Sequence, residues 1–461
     1  MNRFTKFATA AVVAALVLAA PAFAVDFSRF VALGDSTGAG FTNASLNERH
    51  QVWSFPAIIA RQAGVPLCQP NAAATDPCFA QPLVTWPGIG PELQLVNLAP
   101  TIAPAAGLGS PVMLNFGRPY NNLSIPGATV GAMLSLTGTE PQQPGEPTAV
   151  TMGRFILRGL GTAVNQAVAQ DPTFAVVWLG NNDALSTMFS GTPATLTPAD
   201  TFATRFGAVI NLLDATGADI VVGNIPTQPL PYMLLIPTYI VDPTTGQPVR
   251  DQDGNTIPLI AQLGDGSVGL IRPGSFVLLH AREFLATGYG LPNVPPFNLL
   301  PNAGKPLPDN VVIDAAEYAA IVTRITEYNA AIQSVASTRG IPVADIKGLW
   351  TRIYTPGGMH AGPITVGAAP LTGGFFGNDF FHPTDLGYLL IANEFIKAIN
   401  AGYDEDIPLA SVMQLAANNG AFFPDASPAN AMSLTDAALT QIRSLWAQPT
   451  IRRRPMSIRG H

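Results

Sequence analysis

The sequence contains 461 residues, including 43 glycines and 43 prolines; 48% of the residues are hydrophobic and only 11% are charged. The formal net charge of −7 and the lack of a basic stripe argue against a nucleic-acid partner. The length permits one large α/β domain or two average domains, and the low charge is consistent with a protein that handles lipidic or aromatic matter.

The N-terminus has the pattern of a secretory signal peptide. Arg3 and Lys6 precede an apolar run over residues 7–20, and the small-residue motif Ala-Phe-Ala ends at Ala24. We therefore predict that residues 1–24 are removed and that the protein is secreted or periplasmic. No later apolar run in the sequence is long enough to predict a transmembrane helix.

The first element of the mature chain is a predicted strand over residues 30–33, which stops at Gly34 and Asp35 and is followed by Ser36. A serine that follows a strand on a glycine-rich turn is a common position for a catalytic nucleophile. With Gly38, the segment also fits the G-x-S-x-G motif of α/β-hydrolases. Ser36 is therefore a candidate nucleophile, and the remaining motifs have to distinguish between two kinds of hydrolase.

A short helix is predicted next, with Ser54 as its N-cap and Gly64 at its end. Residues 65–118 then form a first insertion, which is rich in Pro and Gly and has little periodicity. It holds both cysteines of the chain, Cys68 and Cys78, and in an oxidising compartment such a close pair is predicted to form one disulfide. A metal site would need further ligands near these cysteines, and the sequence offers none.

Helices alternate with continuously apolar strands along the middle of the chain. A short strand, a glycine turn and a helix start are predicted within residues 120–134. The predicted helices cover residues 154–170, 201–217 and 315–340, and the strands that follow them cover residues 173–180, 218–226 and 341–346. Because strands that are apolar on both faces are covered by helices on both sides, the sequence predicts a three-layer α/β/α sandwich with about five parallel strands.

Two further segments interrupt this alternation. Residues 228–311 form a second insertion, rich in Pro and apolar residues, which we interpret either as a lid over the site or as a contact surface. Its acidic stretch over residues 251–254 resembles half of a calcium loop, but the later ligands are missing and a β-hairpin turn is favoured. Residues 403–461 form a C-terminal extension, in which Ser433 and Asp436 predict the capping box of one helix.

A serine nucleophile requires a general base, and His382 is the best candidate among the five histidines. Asp379 lies three residues before it, and Pro383 is predicted to begin a helix. At a helix N-terminus the macrodipole disfavours an imidazolium, so the Asp379 carboxylate would orient the neutral ring and stabilise the charged one. The other histidines are in less suitable contexts: His50 in a polar run, His280 in an apolar helical pattern, His360 in a loop and His461 at the C-terminus.

Two motifs at predicted strand ends could supply the donors of an oxyanion hole. Asn182 follows the apolar strand that ends near Gly180, and Gly127 follows the short strand before it. Asn181 is expected to face away from the site if Asn182 faces into it, as alternate residues of an extended segment do. Each motif alone also fits an ordinary turn.

These motifs together resemble the four blocks of the SGNH hydrolases, the GDSL lipase/esterase family, over roughly residues 27–402. The blocks correspond to Gly34-Asp35-Ser36, Gly127, Gly180-x-Asn182-Asp183 and Asp379-x-x-His382. Thr37 stands where the family name expects leucine, at a position beside the nucleophile that carries no chemistry. The two insertions and the C-terminal extension are not covered by the resemblance.

The resemblance implies a secreted serine esterase or lipase whose hydrolase domain spans residues 25–402. Such an enzyme cleaves acyl esters through an acyl-enzyme intermediate and needs no cofactor or metal. The implied roles are Ser36 as nucleophile, His382 as base, Asp379 as the group that orients the base, and an oxyanion hole formed by the N–H groups of Ser36 and Gly127 and the amide of Asn182.

The α/β-hydrolase interpretation is disfavoured by chain order. In that class the serine follows several strands and the acid and histidine come from separate loops, whereas here Ser36 ends the first strand and Asp379 and His382 are three residues apart. Two alternatives stay open: a carbohydrate O-acetyl esterase or acyltransferase on the same fold, and a non-catalytic surface-binding module. The enzyme is favoured over the binding module because every chemical position of the motifs is present.

Overall fold

The computed structural model describes residues 25–97, 101–242 and 245–417. The predicted signal peptide and the predicted capping box of Ser433 and Asp436 lie outside these residues. In the described ranges none of the helices is both long and apolar enough to cross a lipid bilayer.

The strands in the described ranges are β1 (Phe30–Gly34), β2 (Leu93–Asn97), β3 (Thr101–Pro104), β4 (Phe174–Trp178), β5 (Asp219–Gly223), β6 (Ile260–Gln262), β7 (Val268–Leu270), β8 (Phe276–Val277), β9 (Val312–Ile313), β10 (Val343–Ala344), β11 (Met359–Ala361) and β12 (Ile364–Val366). The α-helices there are α1 (Ser36–Ala39), α2 (Glu48–Gln51), α3 (Phe55–Gln62), α4 (Val130–Ser135), α5 (Thr148–Leu157), α6 (Ala163–Val168), α7 (Asn181–Leu185), α8 (Thr187–Ser190), α9 (Ala199–Asp214), α10 (Arg282–Ala286), α11 (Ala315–Ser337), α12 (Ile346–Tyr354), α13 (Asp385–Tyr403) and α14 (Val412–Ala417).

The central sheet is parallel and has the strand order β1-β4-β5-β10. Phe30 pairs with Phe174, which in turn pairs with Asp219 of β5. Every residue of β1 and β4 is buried, as expected for parallel strands that are covered on both faces. The adjacent residues Phe30 and Val31 belong to different core clusters because successive strand side chains point to opposite faces of the sheet.

A further segment pairs with the outer edge of β1 but is too short to be a strand. Asn122 makes one parallel bridge with Ala32, and the Leu123 N–H donates to Ala32 O at 2.9 Å. The side-chain amide of Asn121 donates to Phe30 O at 2.8 Å, where a longer strand would use its own main chain. The sheet of about five predicted strands is thus four strands and one bridged segment, in the flavodoxin-like sequence order 2-1-3-4-5.

Helices cover both faces of this sheet, which confirms the predicted three-layer α/β/α sandwich. On one face Phe55 of α3 stacks on Phe395 of α13, with 4.9 Å between ring centroids, and Trp178 of β4 contacts both rings. On the other face Phe202 of α9 stacks on Tyr328 of α11 at 4.1 Å. These large rings bury the apolar faces of the helices against the sheet and so fix the two outer layers.

One predicted helix is in fact two. The segment over residues 154–170 divides between α5 and α6, because Arg158 ends α5 in the left-handed conformation, with φ 56°. Thr162 then caps α6 by accepting a hydrogen bond from the Asn165 N–H. The apolar periodicity continues across the break, which is why the sequence pattern alone did not reveal it.

Both insertions are more ordered than their composition suggests. The first contains the antiparallel strand pair β2–β3 and the Cys68–Cys78 disulfide, and the disulfide confirms the predicted pairing of the cysteines. In the second, β6 pairs with β7, and β8 pairs with β9, the strand that directly follows the insertion. A small separate core there includes Ile240 and Leu307. Its acidic stretch over residues 251–254 forms a hairpin turn, as the flanking antiparallel bridge shows.

Candidate active site

The candidate site lies at the carboxyl ends of β1 and β4. Ser36 is the first residue of α1, directly after β1 and Asp35, and its exposed fraction is 8%. Asn181 begins α7, just beyond β4. In a sheet of this order the chain connections reverse direction between these two strands, and the crevice at such a point is where ligands of parallel sheets bind.

The glycines around Ser36 are explained by close packing. A Cβ added to Gly38 would lie 2.3 Å from the Ser124 hydroxyl oxygen, and one added to Gly34 would lie 2.9 Å from it. The segment that pairs with β1 therefore approaches the turn too closely for any side chain at these two positions. This accounts for the glycines of the G-x-S-x-G match without an α/β-hydrolase fold.

The structure brings Ser36, His382 and Asp379 into one hydrogen-bonded chain. His382 Nε2 lies 3.0 Å from Ser36 Oγ, and His382 Nδ1 lies 2.9 Å from Asp379 Oδ2. A carboxylate accepts hydrogen bonds, so Nδ1 carries the proton and Nε2 is left to accept from the serine hydroxyl. This arrangement can transfer the hydroxyl proton to the imidazole.

Asp379 is fully surrounded by donors. Its Oδ1 accepts from the N–H groups of Phe381 and His382 at 3.0 and 2.9 Å, and its Oδ2 also accepts from the Ala44 N–H at 2.7 Å. Burial alone would raise the pKa of Asp379. The charge of His382 and the hydrogen bonds from His382 and Phe381 lower the pKa by more than burial raises it, so the pKa lies below its ordinary 3.8. The group is therefore held as a carboxylate.

The ring of His382 is held by its neighbours as well. The rings of Phe41 and Phe381 lie 4.8 and 4.7 Å from the imidazole, centroid to centroid. The following helix, α13, begins at Asp385 with Thr384 as its N-cap, two residues later than the predicted start at Pro383. His382 therefore precedes the helix cap and lies on the loop that carries Asp379.

The remaining histidines of the described residues lie elsewhere. His360 is exposed on the β11–β12 hairpin, and His280 is exposed and bonded to Asn310 O. His50, whose sequence context is polar, is buried between Glu92 and Asp385, at 2.8 Å from each. In the described ranges no group of three or more His, Cys, Asp or Glu side chains is arranged to hold a metal ion.

The predicted oxyanion donors lie on two segments that contact each other, the turn at Gly127 and the start of α7. Asn182 Nδ2 donates to Ala128 O at 3.1 Å, and Ala128 directly follows Gly127, whose φ is +82°. Asp183 ties the same segments together, since its carboxylate accepts from the Val130 N–H at 2.9 Å. Neither Gly127 nor Asn182 lines the cavity that Ser36 lines.

Asn181 does not face away from the site as expected. Its amide donates to the buried carboxylate of Asp35 at 2.9 Å, and its side chain lines the cavity beside Ser36. The expectation was wrong because residues 181–185 are helical, so neighbouring side chains differ by about 100° rather than pointing to opposite sides. Thr37 completes this polar group by donating from its hydroxyl to Asp35 at 2.6 Å.

A largely apolar cavity opens at Ser36 and His382, with about 810 Å³ of space including its mouth. Its walls come from β4, α7, α8, the loop after β5, α11 and α12. Among the described residues of the second insertion, those that contribute to the lining lie near its start. The apolar lining side chains include Met188, Ile225, Leu230, Met233, Ile321 and Trp350.

The sequence matches a known family of hydrolases. The family model for GDSL-like lipases/acylhydrolases matches residues 30–395 of the chain. Similar solved structures include an extracellular lipase from Streptomyces rimosus (14% identity, TM-score 0.31, covering 79% of this chain and 98% of that chain) and phospholipase A1 from Streptomyces albidoflavus (13%, 0.32, 80% and 100%). No curated protein matches the sequence significantly. Since the family match extends over most of its length, the chain belongs to the GDSL-like lipase/acylhydrolase family and is a hydrolase that acts on ester bonds.

Proposed function

We propose that the protein is a serine esterase or lipase in which Ser36 is the nucleophile, His382 the general base and Asp379 the residue that orients the base. The observation that carries this proposal is the pair of hydrogen bonds from Ser36 Oγ to His382 Nε2 and from His382 Nδ1 to Asp379 Oδ2, at 3.0 and 2.9 Å. The cavity beside these atoms offers the space for an ester substrate.

In the proposed reaction Ser36 Oγ attacks the ester carbonyl while His382 Nε2 takes the hydroxyl proton. Asp379 stabilises the imidazolium that forms. The tetrahedral intermediate collapses to an acyl-enzyme when His382 returns the proton to the leaving alcohol. Water then repeats the sequence, with His382 as its base, and releases the carboxylic acid and the free serine.

The negative charge of the tetrahedral intermediate requires donors that are fixed beforehand. We assign this role to the N–H groups of Ser36 and Gly127 and to the side-chain amide of Asn182. The contact between Asn182 and Ala128 supports the assignment because it holds the second and third donors on adjoining segments. The same hydrogen bond orients the Asn182 amide.

The character of the cavity favours an acyl or lipid ester over an acetylated carbohydrate. An acetyl group needs little apolar space, whereas the cavity extends past Ser36 between Met188, Met233 and Ile321. Each methylene buried there would contribute about 0.8 kcal/mol to binding. Esters with longer acyl chains are therefore the proposed substrates, and acetylated xylan should be a poor one.

The protein is also proposed to be exported, on the basis of the signal-peptide pattern in residues 1–24. N-terminal sequencing of the protein from the producing cells tests this directly. A mature N-terminus at Val25 supports export, and an intact Met1 on the active protein contradicts it.

A fluorophosphonate that phosphorylates activated serines tests the nucleophile itself. We expect a single adduct on the peptide that contains Ser36, slower labelling while a p-nitrophenyl ester is present as a competing substrate, and no adduct in Ser36→Ala. Ser124→Ala is the matched control, since this serine is equally buried nearby and makes no hydrogen bond through its hydroxyl. Labelling of another serine, or undiminished esterase activity in Ser36→Ala, would contradict the proposal.

A further inference from the structure

The carboxylate proposed to orient His382 is held from outside its own loop. Asp379 Oδ2, which accepts from His382 Nδ1, accepts a second hydrogen bond of 2.7 Å from the Ala44 N–H. Two hydrogen bonds to the same oxygen restrict where that oxygen can lie. The orientation of Asp379 therefore depends on where residues 43 and 44 lie.

Residues 43 and 44 have an unusual backbone conformation. Asn43 and Ala44 have φ values of +51° and +59°, in the left-handed region that residues other than glycine seldom adopt. They are the central residues of a two-residue turn of the type I′ kind, which requires a positive φ at both positions. The turn is closed by hydrogen bonds from the Ser45 N–H to Thr42 O at 2.9 Å and from the Thr42 N–H to Ser45 O at 3.0 Å. It points the Ala44 N–H at Asp379.

Asn43 makes the contacts that attach this turn to the neighbouring segments. Its side-chain oxygen accepts from the Asn378 N–H at 2.8 Å, directly beside Asp379 in the chain, and its backbone oxygen accepts from the Leu93 N–H at 2.8 Å. Its amide donates to Glu92 at 3.0 Å. The exposed fraction of Asn43 is only 2%, so these bonds are shielded from water. Gly377 permits the approach, because a Cβ there would lie 2.6 Å from Asn43 Oδ1.

The first insertion anchors Asn43 through Glu92. The Glu92 carboxylate accepts from the Trp86 indole N–H and bonds to His50 Nε2, each at 2.8 Å, and His50 Nδ1 bonds to Asp385 at the start of α13. Burial alone would lower the pKa of His50, but the Asp385 and Glu92 carboxylates raise it to about 10. His50 is therefore charged at neutral pH and ties the insertion to the helix that follows His382.

We propose that Asn43 is a positioning residue for Asp379, and that the first insertion acts on the active site through the Glu92–Asn43 contact. The proposal rests on the assignment of Ser36, His382 and Asp379 above. Asn43 does not line the cavity at Ser36 and makes no hydrogen bond to His382. It holds Asn378 and presents the Ala44 N–H, so that Asp379 lies where the imidazole needs it.

A double-mutant cycle on kcat tests this proposal with a p-nitrophenyl ester. Asn43→Gly removes the side chain but keeps the left-handed turn accessible. We expect kcat to fall about 10- to 100-fold while KM stays within twofold of wild type, as a small misplacement of a catalytic group would cause. In an Asp379→Ala background the same change should alter kcat less than about threefold, because the group through which Asn43 acts is gone.

Two further variants complete the experiment. Gly377→Ala keeps Asn43 but displaces its side chain from Asn378, so it should change kcat in the two backgrounds in the same way as Asn43→Gly. If Asn43→Gly fails to fold, Gly377→Ala takes its place. Asn47→Ala is the matched control: this buried asparagine caps α2 and makes no hydrogen bond to residues 377–382, so kcat should stay within twofold of wild type.

The outcomes separate the two proposals. If Asn43→Gly and Gly377→Ala each lower kcat by the same factor in the wild-type and the Asp379→Ala backgrounds, the positioning role is overturned. An unchanged kcat in the wild-type background would overturn it as well. Either result, in an enzyme that Ser36→Ala and His382→Ala inactivate, leaves the proposed function standing. Undiminished activity in Ser36→Ala or His382→Ala would instead remove the proposed function and this inference together.

Discussion

His382 Nε2 lies 3.0 Å from Ser36 Oγ, although 346 residues separate the two in the sequence. Ser36 is fixed by a buried strand, whereas His382 lies on a loop that depends on the packing of α13 against the sheet. At this distance the donor and the acceptor of the first proton transfer are within hydrogen-bond reach of each other. The expectations below follow from the residues that surround this pair.

Asn182→Ala is expected to lower kcat by roughly 10²–10³ with little change in KM, because an oxyanion donor acts mainly on the transition state. Steady-state kinetics with a p-nitrophenyl ester measures both parameters. A rise in KM at constant kcat would mean that Asn182 binds the substrate in its ground state instead.

Asn181→Ala provides the comparison, since Asn181 lines the cavity and donates to Asp35. Burial raises the pKa of Asp35, and the bonds from Thr37 and Asn181 partly offset this. We expect a change in KM or substrate preference, with kcat reduced less than about tenfold. Equal losses of kcat at Asn181 and Asn182 would contradict the assignment of the oxyanion donor to Asn182 alone.

Leu230→Trp is expected to flatten the preference for longer acyl chains. Leu230 lies near the start of the second insertion and lines the cavity, so a larger side chain shortens the space for the acyl group. At about 0.8 kcal/mol per methylene, each one excluded costs roughly fourfold in kcat/KM, while acetate esters keep their rate.

Leu299→Trp is the control for this prediction, because Leu299 belongs to the same insertion but is 88% exposed and does not line the cavity. Its chain-length profile should match wild type. A profile in Leu230→Trp that also matches wild type would show that the acyl chain binds elsewhere. These point changes are preferable to deleting the insertion, since Phe276 and Leu278 within it belong to the main core.

Because of the buried His50, the free energy of unfolding is expected to fall as the pH rises into the alkaline range. Its pKa is raised from 6.5 to about 10 in the fold, so its stabilisation is complete below about 6.5 and is lost as the pH rises to about 10. At about 1.4 kcal/mol per pH unit, the loss is roughly 4 kcal/mol across that range. Glu92, with a pKa lowered to about 2, loses its stabilisation in acid instead, below about pH 4.5.

Urea unfolding at several pH values between 6.5 and 10 measures this contribution. His50→Gln should have a lower free energy of unfolding at pH 6.5 and a shallower decline towards pH 10 than wild type. Parallel declines in the two proteins would mean that other groups account for the pH dependence.

Those features of the site that depend on local sequence could be predicted. Asp379 and His382 are three residues apart, so their contact follows from one loop, and Ser36 follows from a strand that ends in a glycine turn. The sandwich was predictable because its strands are apolar on both faces. Cys68 and Cys78 are close enough in sequence to indicate their own pairing.

The contacts that depend on the tertiary fold were not predictable in the same way. His50 lies among polar residues in the sequence, yet it is buried because Glu92 and Asp385 approach it from distant segments. Asn181 was misassigned because a strand period was applied to a residue that begins a helix. Asparagine tolerates the left-handed conformation that Asn43 adopts, but this property also places asparagine in ordinary turns and so does not predict its role here.

His382 is proposed to activate Ser36, and the kcat of His382→Ala with p-nitrophenyl butyrate measures this role, beside His360→Ala as an exposed control. We expect a loss of about 10⁴–10⁶ in kcat for His382→Ala, because the members of a triad act as a unit, and a wild-type kcat for His360→Ala. A kcat for His382→Ala within tenfold of wild type, or an inactive His360→Ala, would contradict this role.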